Sequence, residues 1–142
     1  MKLLVKKLSE DAIVPSYAHS GDSGMDLFAN ETAELQPGER KMVRTGIAVA
    51  VPKGFEAQVR PKSGMALKDG ISVLNTPGTV DSGYRGEVGV ILINLGSKTH
   101  RIEKGKKIAQ LVISRVEEAG VEVVEELDET RRGSGGFGST GV

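Results

Sequence analysis

The chain is 142 residues long, and its 19 Lys and Arg balance its 19 Asp and Glu, which excludes the basic surplus typical of nucleic-acid-binding proteins. The absence of cysteine excludes disulfides, thiolate metal sites and a thiol nucleophile. Apolar runs such as residues 47–51 are far shorter than the ~18 residues of a membrane span. The first residues lack the ~7–15-residue apolar core of a signal peptide, so we expect a cytoplasmic domain that binds neither nucleic acid nor membrane.

Short runs of β-branched residues, separated by turn residues, predict a mostly β protein. In Phe55–Arg60 apolar and polar residues alternate, which predicts one buried and one exposed face. Residues 88–93 are almost all apolar, which predicts a strand covered on both faces, in the core or in a subunit interface. The predicted strands are 3–5, 25–29, 42–43, 47–51, 55–60, 72–74, 88–94, 108–114 and 121–124, with Pro52–Gly54 joining two of them as a hairpin.

Two segments depart from the strand pattern. Met65–Lys68 predicts one short helix of a single turn, which Gly70 is placed to end. From Arg131 onward the chain is rich in Gly and Ser and cannot bury enough apolar surface to order itself. We therefore expect an all-β domain spanning residues 1–130 and a mobile glycine-rich arm spanning residues 131–142.

Within this arm, Phe137 stands among glycines although the chain has only three Phe and two Tyr. A hydrophobic peg that docks the arm on its own or a neighbouring subunit would explain a phenyl ring there. A second interpretation uses more of the residues: Arg131 and Arg132 grip phosphates, glycine N–H groups hold an anion, and the ring stacks on a heterocycle. The second interpretation predicts that the arm binds a nucleotide.

Two further clusters carry candidate chemistry. Residues 75–87, predicted as a hairpin, place Asp81 and Tyr84 three residues apart. Asp-Ser-Gly is common turn chemistry, whereas a carboxylate beside a nucleotide pocket can orient and deprotonate a water. Residues 60–66 bring cations, a hydroxyl and the first N–H groups of the short helix together, which is typical of anion binding. This cluster is not a P-loop, because G-x-x-x-x-G-K-[ST] occurs nowhere in the chain.

Polar side chains also interrupt two apolar strands. Asp26 either bonds to backbone or binds an ion through water. Gln110, taken alone, is interpreted as a core amide with satisfied hydrogen bonds. His19 and His100 are interpreted as surface residues, since no third metal ligand has suitable spacing.

In order and spacing, these clusters resemble the five motifs of the homotrimeric dUTP diphosphatases, the dUTPases, over nearly the whole chain. The matching segments are Gly24–Leu27, Pro61–Ala66, Gly78–Glu87, Gly105–Val112 and Arg132–Gly141. One departure is Lys62, where the family usually has Arg. Lysine keeps the charge but loses the planar fork of a guanidinium, so we expect a weaker or differently shaped phosphate contact.

The resemblance implies a distorted jelly-roll or β-barrel subunit, assembled as a homotrimer with shared active sites. It implies hydrolysis of dUTP to dUMP and pyrophosphate, which limits uracil incorporation into DNA and supplies dUMP for dTTP synthesis. Asp81 is then the general base that activates water, and Mg²⁺ rides on the substrate phosphates while Asp26 touches it through water. The substrate-binding residues implied are Lys62, Ser63, Gly64, Asn75, Gly78, Thr79, Val80, Tyr84, Gly89, Gln110, Arg132, Phe137, Gly138 and Ser139.

The same resemblance distributes roles among these residues. The hairpin holds uracil through backbone groups and leaves no room for a 5-methyl group, and Tyr84 lies under the deoxyribose. Ser63, Gly64, Lys62 and Gln110 contact the phosphates, while Arg132 grips the outer phosphates and Phe137 stacks over uracil.

Two alternatives remain at this stage. A dCTP deaminase of the same fold, or a bifunctional deaminase and diphosphatase, needs an altered second motif and a carboxylate aimed at C4 of the base, for which Glu87 is the nearest candidate. A nucleotide-binding trimer without activity would use the same site to control a partner protein.

Overall fold

The structure is a computed structural model that describes residues 1–141, and its regular elements are nearly all strands. The elements are β1 (Leu4–Lys7), β2 (Gly24–Phe28), β3 (Ala33–Leu35), β4 (Arg40–Ala50), β5 (Phe55–Arg60), α1 (Ser63–Asp69), β6 (Ile71–Val73), β7 (Gly78–Val80), β8 (Glu87–Asn94), β9 (His100–Ile102) and β10 (Lys107–Arg115). Two four-stranded sheets have the orders β1-β4-β8-β6 and β2-β10-β5-β7, and β3 pairs with β9. The predicted all-β fold is confirmed.

One buried apolar cluster joins the two large sheets. Val43 and Leu92 of the first sheet belong to the same cluster as Leu27 and Leu111 of the second. These side chains are almost completely inaccessible to solvent. Because alternate residues of a strand point to one face, each sheet contributes one apolar face to a shared core.

The strand β8 differs from its prediction. Val90 and Leu92 are buried, whereas Ile91 and Ile93 are only half-buried. The core therefore covers one face of β8, and within a single chain the expected cover on both faces is wrong. The second apolar face is available for contact with another molecule.

Two connections also differ from their predictions. Pro52–Gly54 forms a turn, with Phe55 N–H donating to the Pro52 carbonyl at 3.1 Å, but β4 and β5 lie in different sheets and form no hairpin. Residues 75–87 likewise do not form one hairpin, because β7 pairs with β5 while β8 pairs with β4 and β6. Local turn chemistry predicts where the chain reverses, and only tertiary contacts decide which sheet the next strand joins.

The predicted strand 121–124 is absent from the structure. Val121 and Val123 are 93% and 94% exposed, and the last strand ends at Arg115. Alternation of Val and Glu permits a strand but does not supply a partner, and an extended segment without a neighbouring edge has no ladder of hydrogen bonds.

The short helix is confirmed and starts earlier than predicted. It begins directly after Lys62, and Gly70 ends it with φ 67°. A Cβ on Gly70 would approach the backbone N of Gly96 to 2.7 Å, so both the conformation and the packing require glycine. In residues 1–141, no helix is long and apolar enough to cross a membrane.

Candidate active site

A row of polar residues crosses the outer face of the second sheet. Gln110 of β10 lies directly opposite Asp26 of β2 on one side and Arg60 of β5 on the other. Directly opposed residues project to the same face, and the next position, Leu111, points into the core with Met25. The sheet thus separates an apolar inner face from a polar outer face.

Asp26 is the most enclosed member of this row. It is only 6% exposed, and its two carboxylate oxygens lie 2.5 Å from Lys62 Nζ and 2.8 Å from Lys107 Nζ. Burial by itself would raise the pKa of Asp26, but the hydrogen bonds from Lys107 and Lys62 outweigh it and lower that pKa below the ordinary 3.8. Asp26 is therefore an anion at neutral pH that holds two lysines on this face.

Gln110 fixes the loop that leads into α1. Its side-chain amide donates a hydrogen bond of 2.9 Å to the Pro61 carbonyl. Gly24 of β2 makes this possible, because a Cβ there would collide with the Gln110 side chain. The side-chain hydrogen bond of Gln110 is satisfied, as predicted. Gln110 is only half-buried, so it is not the core residue that was predicted.

A cleft of about 500 Å³ opens beside this loop. In this cleft Ser63, the first residue of α1, lies near Gln110. Thr76 and Pro77, at the start of the segment predicted to hold the base, line the same cleft. The lining residues are Gln58, Arg60, Pro61, Ser63, Thr76, Pro77 and Gln110. The structure thus brings together residues that lie more than a third of the chain apart, from Gln58 to Gln110.

Of these residues, Gln58 lies outside every cluster that the sequence singled out. Gln58 and Arg60 share the outer face of β5, where the Arg60 guanidinium donates two hydrogen bonds, of 2.9 and 2.6 Å, to the Gln58 side-chain oxygen. The alternation of Phe55–Arg60 placed Gln58 on the exposed face, which was the available signal. Arg60, Thr76 and Pro77 belong to the clusters 60–66 and 75–87, and the structure brings these two clusters to one cleft.

Within residues 75–89, where the base is predicted to bind, the strands β7 and β8 diverge into different sheets. Leu74 N–H still donates to the Ile91 carbonyl at 2.8 Å, but beyond this point β7 turns to β5 while β8 stays in the first sheet. The predicted base contacts fall on the two diverging segments: Asn75, Gly78, Thr79 and Val80 on one, and Gly89 on the other. A fork of this kind exposes backbone groups that a continuous ladder would have used.

Asp81 and Tyr84 lie on the turn between these segments. Asp81 is exposed, and its carbonyl accepts a 3.1 Å hydrogen bond from Tyr84 N–H. The Tyr84 hydroxyl donates to the Glu87 carbonyl at 2.9 Å, and a Cβ on Gly86 would collide with the phenol ring. The tyrosine ring is therefore held in place, but neither Asp81 nor Tyr84 lines the cleft that contains Ser63 and Gln110.

The arm forms its own succession of turns. Arg132 Nε donates to the Gly135 carbonyl at 3.0 Å, and Ser139 N–H donates to the Gly136 carbonyl at 3.1 Å. Phe137 is fully exposed and adopts φ 51°, followed by Gly138 at φ 88°. The structure therefore places Arg132, Phe137, Gly138 and Ser139 on one segment but not on the cleft. Val142, the last residue of the predicted arm, lies outside the described residues.

The described residues do not form a metal site of their own. Across residues 1–141, no group of three or more His, Cys, Asp or Glu side chains is arranged to hold a metal ion. Both oxygens of Asp26 already have a lysine ammonium as partner. A water-mediated contact from Asp26 to Mg²⁺ stays a prediction, and each carboxylate oxygen would share that water with its lysine partner.

Comparison with known proteins gives relatives along the whole chain. The deoxyuridine 5'-triphosphate nucleotidohydrolase of Clostridium novyi (strain NT) is 61% identical over 142 residues, which cover all of both chains. The protein of the same name from Gloeothece citriformis (strain PCC 7424) is 59% identical over 142 residues, covering 100% of this chain and 98% of that one.

Solved structures agree with these relatives. A mutant dUTPase of Staphylococcus bacteriophage 80alpha, solved with dUpNHpp, superposes with a TM-score of 0.93 at 31% identity and 99% coverage of each chain. A mutant dUTPase from phage phi11 of S. aureus, described as revealing the coordination of a structural Mg(II) ion, has a TM-score of 0.83 at 29% identity, covering 89% of this chain and 98% of that one. The family model for dUTPase matches residues 10–141, and the chain therefore belongs to the dUTPase family.

Proposed function

We propose that this protein hydrolyses dUTP to dUMP and pyrophosphate. The observation that carries the proposal is the cleft in which Ser63 and Gln110 meet the start of the base-binding segment, in a chain of the dUTPase family. A triphosphate needs cations and N–H donors, and a base needs fixed backbone groups. The two requirements are proposed to be met at adjoining places: the phosphates at the outer face of the second sheet, and the base where β7 and β8 diverge into different sheets.

The phosphates are proposed to bind at the loop before α1. Lys62 contributes an ammonium that Asp26 holds at 2.5 Å, and Ser63 and Gly64 offer a hydroxyl and N–H groups at the exposed start of the helix. Those first N–H groups have no side-chain cap, since Lys62 occupies the N-cap position. Gln110 holds the loop through Pro61 and lines the same cleft. Charge and donors are thus arranged before substrate arrives, which lowers the cost of binding.

Asp81 is proposed as the general base that takes a proton from the attacking water. The water oxygen bonds to the α-phosphorus while the bond to the bridging oxygen breaks, so that pyrophosphate leaves. A carboxylate is a weak proton acceptor, so positioning and charge stabilisation supply most of the acceleration.

Uracil is proposed to bind in the fork between Asn75–Val80 and Gly89. Backbone donors and acceptors there match the uracil edge, and cytosine would leave at least one buried polar group unpaired at a cost of about 1–3 kcal/mol. The Tyr84 ring, held by its hydrogen bond to the Glu87 carbonyl, is proposed to leave no space for a 2′-hydroxyl. Base and sugar are therefore both selected.

Magnesium is proposed to accompany the triphosphate and not to occupy a site built by the chain. Mg²⁺ keeps several waters and binds phosphates readily, so it neutralises charge on the substrate when present. This agrees with the absence of an acidic ligand cluster in residues 1–141.

The complete site is proposed to form in a homotrimer. Asp81 and Tyr84 do not line the cleft of Ser63 and Gln110 within one chain, and the outer face of β8 presents half-buried Ile91 and Ile93. Shared sites would bring the turn of one subunit to the cleft of another.

The arm, residues 131–142, is proposed to be mobile beside the domain of residues 1–130. It is proposed to close over the bound substrate, with Arg132 on the outer phosphates and Phe137 on the base. Gly138 and Ser139 are proposed to contact the phosphates. The enzyme is proposed to act in the cytoplasm, where the nucleotide pool is.

The deaminase alternative is disfavoured by the position of Glu87. Its Oε1 accepts a 2.8 Å hydrogen bond from Gly46 N–H, and its Oε2 pairs with Arg44 Nε at 3.1 Å. This carboxylate stabilises the bulge of β4 and is not free to point at a base.

A nucleotide panel tests the proposed function. We expect pyrophosphate from dUTP, far less from UTP, dCTP and dTTP, and loss of activity when EDTA removes Mg²⁺. Ammonia release from dCTP would identify a deaminase. Binding of dUTP without pyrophosphate release would identify a nucleotide-binding protein without activity.

A further inference from the structure

Asp26, Lys62 and Lys107 form an ionic cluster on the outer face of the second sheet, here called the Asp26 cluster. One carboxylate is shared by two ammonium groups, at 2.5 and 2.8 Å. The Asp26 side chain is 9% exposed, while those of Lys62 and Lys107 are 30% and 49% exposed. The cluster therefore carries a net charge of one positive unit, and its cations are at the surface.

A bulge in β10 puts Lys107 in this cluster. In a regular strand, Lys106 and Ile108 would share a face with Gln110, since side chains alternate. Lys107 pairs with Phe28 and Ala109 with Leu27, so that Ile108 is an extra residue in β10. Ile108 is buried in the core, and Lys107 instead projects to the outer face, where it reaches Asp26. A bulge redirects a side chain in this way.

The consequence concerns the charge of Lys62. If Lys62 were the sole partner of Asp26, the two charges would cancel at the mouth of the cleft. Since Lys107 pairs with the other carboxylate oxygen, the negative charge is shared and a positive surplus remains. Lys62 cannot make the two parallel hydrogen bonds that a guanidinium offers to a phosphate. Its attraction for an anion with several charges therefore depends on the net positive charge of the cluster.

We propose that Lys107 is a positioning residue that acts through Asp26: by pairing with one carboxylate oxygen, it leaves the positive charge of Lys62 uncompensated toward the phosphates of the substrate. The proposal rests on the proposed function of the site, since it assumes that a nucleoside triphosphate binds there. It assigns Lys107 an electrostatic role in affinity and gives it no part in bond breaking.

The test measures binding of dUpNHpp by calorimetry and turnover of dUTP in the full chain. Lys107→Met should weaken binding about tenfold, raising KM while kcat changes less than about twofold, because one charge near the phosphates is lost. Lys107→Arg keeps the charge and should remain near wild type.

Lys106→Met is the matched control, since it removes the same charge from the neighbouring residue, which makes no ion pair among the residues of the structure. A thermal melt of every variant shows whether it is folded. The proposal is overturned if Lys107→Met binds dUpNHpp like Lys106→Met, or if Lys107→Arg loses as much affinity as Lys107→Met. If the wild type turns over dUTP and Lys107→Met binds dUpNHpp as tightly as the wild type, the role of Lys107 is overturned and the proposed function stands. Wild-type protein inactive on dUTP would overturn both.

Discussion

At the scale of single residues, Asp26 illustrates how a buried charge is made stable. A carboxylate removed from water is costly unless it is paired, and here two ammonium groups reach it from the α1 loop and from β10. Neither lysine is fully buried, so the pairs avoid most of the desolvation cost of an ion pair deep in the core. The pairing also fixes the loop that begins the proposed phosphate site.

This pairing predicts a dependence of stability on pH. Because the pKa of folded Asp26 lies below its ordinary value of 3.8, its contribution is fully present above that value and is lost as the pH falls through the lowered pKa. Asp26→Asn should reduce the free energy of unfolding at pH 7 by roughly 1–3 kcal/mol, because hydrogen bonds to a charged group are lost. Urea unfolding at pH 7, 5 and 3 and at fixed protein concentration measures this. A difference between the two proteins that did not shrink at the lowest pH would contradict it.

Asp81 supports a prediction about chemistry. Asp81→Asn removes the proposed base but keeps the size of an exposed side chain, so folding should be unaffected. We expect no measurable pyrophosphate release, while dUpNHpp binding stays within about tenfold, or roughly 1.4 kcal/mol, of wild type. Undiminished turnover would exclude Asp81 as the base.

At the scale of elements, β10 joins the core to the site. Leu111 faces the core, Gln110 faces the cleft, and the bulge at Ile108 brings Lys107 beside Asp26. The strand lies between β2 and β5, so both neighbours hold it in register. Beyond Arg115 the chain leaves the sheet, and its side chains are exposed with few exceptions.

The arm is the element whose removal should separate stability from activity. Deletion of residues 131–142 removes segments whose described hydrogen bonds are internal to the arm or reach only Thr130. We expect an unchanged melting temperature and assembly but a severe loss of dUTP turnover, because water exclusion and the contacts of Arg132 and Phe137 are lost. Calorimetry, sizing and a pyrophosphate assay measure the three quantities. Full activity of the truncated enzyme would remove the arm from the mechanism.

At the scale of the whole molecule, the outer face of the first sheet carries apolar side chains that the core does not cover, beside the charged Arg40 and Arg44. Met42 is 64% exposed and its side chain lies over Gly89, next to half-buried Ile91 on the neighbouring strand. A contiguous apolar surface of this kind is typical of a contact between proteins. It therefore supports assembly through the outer face of β8.

Assembly predicts that one charge on this face should abolish both oligomer and activity. In light scattering, wild type should have about three times the 15.0 kDa mass of the chain, and Ile91→Glu should be monomeric, folded and inactive. Val14→Glu, in the loop before β2 and 48% exposed, is the control and should stay assembled. A monomeric wild type with full activity would contradict the trimer.

Much of the fold is local in origin and could be predicted. Alternation in Phe55–Arg60 and the helix ended by Gly70 depend on neighbouring residues alone, and both are confirmed. The strands β3, β7 and β9 have three residues each and were missed, whereas the equally short β6 was predicted within one residue at 72–74, so a run of this length carries only a weak pattern. The two runs at 42–43 and 47–51 proved to be one strand, since Gly46, with φ 70°, lies within the irregular stretch of β4 and does not end it.

The sequence by itself determined the all-β class and the helix, because residue type and spacing express these directly, whereas the roles of the site residues stay a prediction. Only the tertiary structure decided that Asp26 pairs with both Lys62 and Lys107, that residues 75–87 divide between two sheets, and that Glu87 is occupied by Gly46 and Arg44. The reason is that cross-strand register and bulges fix which distant side chains meet. A single extra residue in a strand moves a side chain to the opposite face of the sheet.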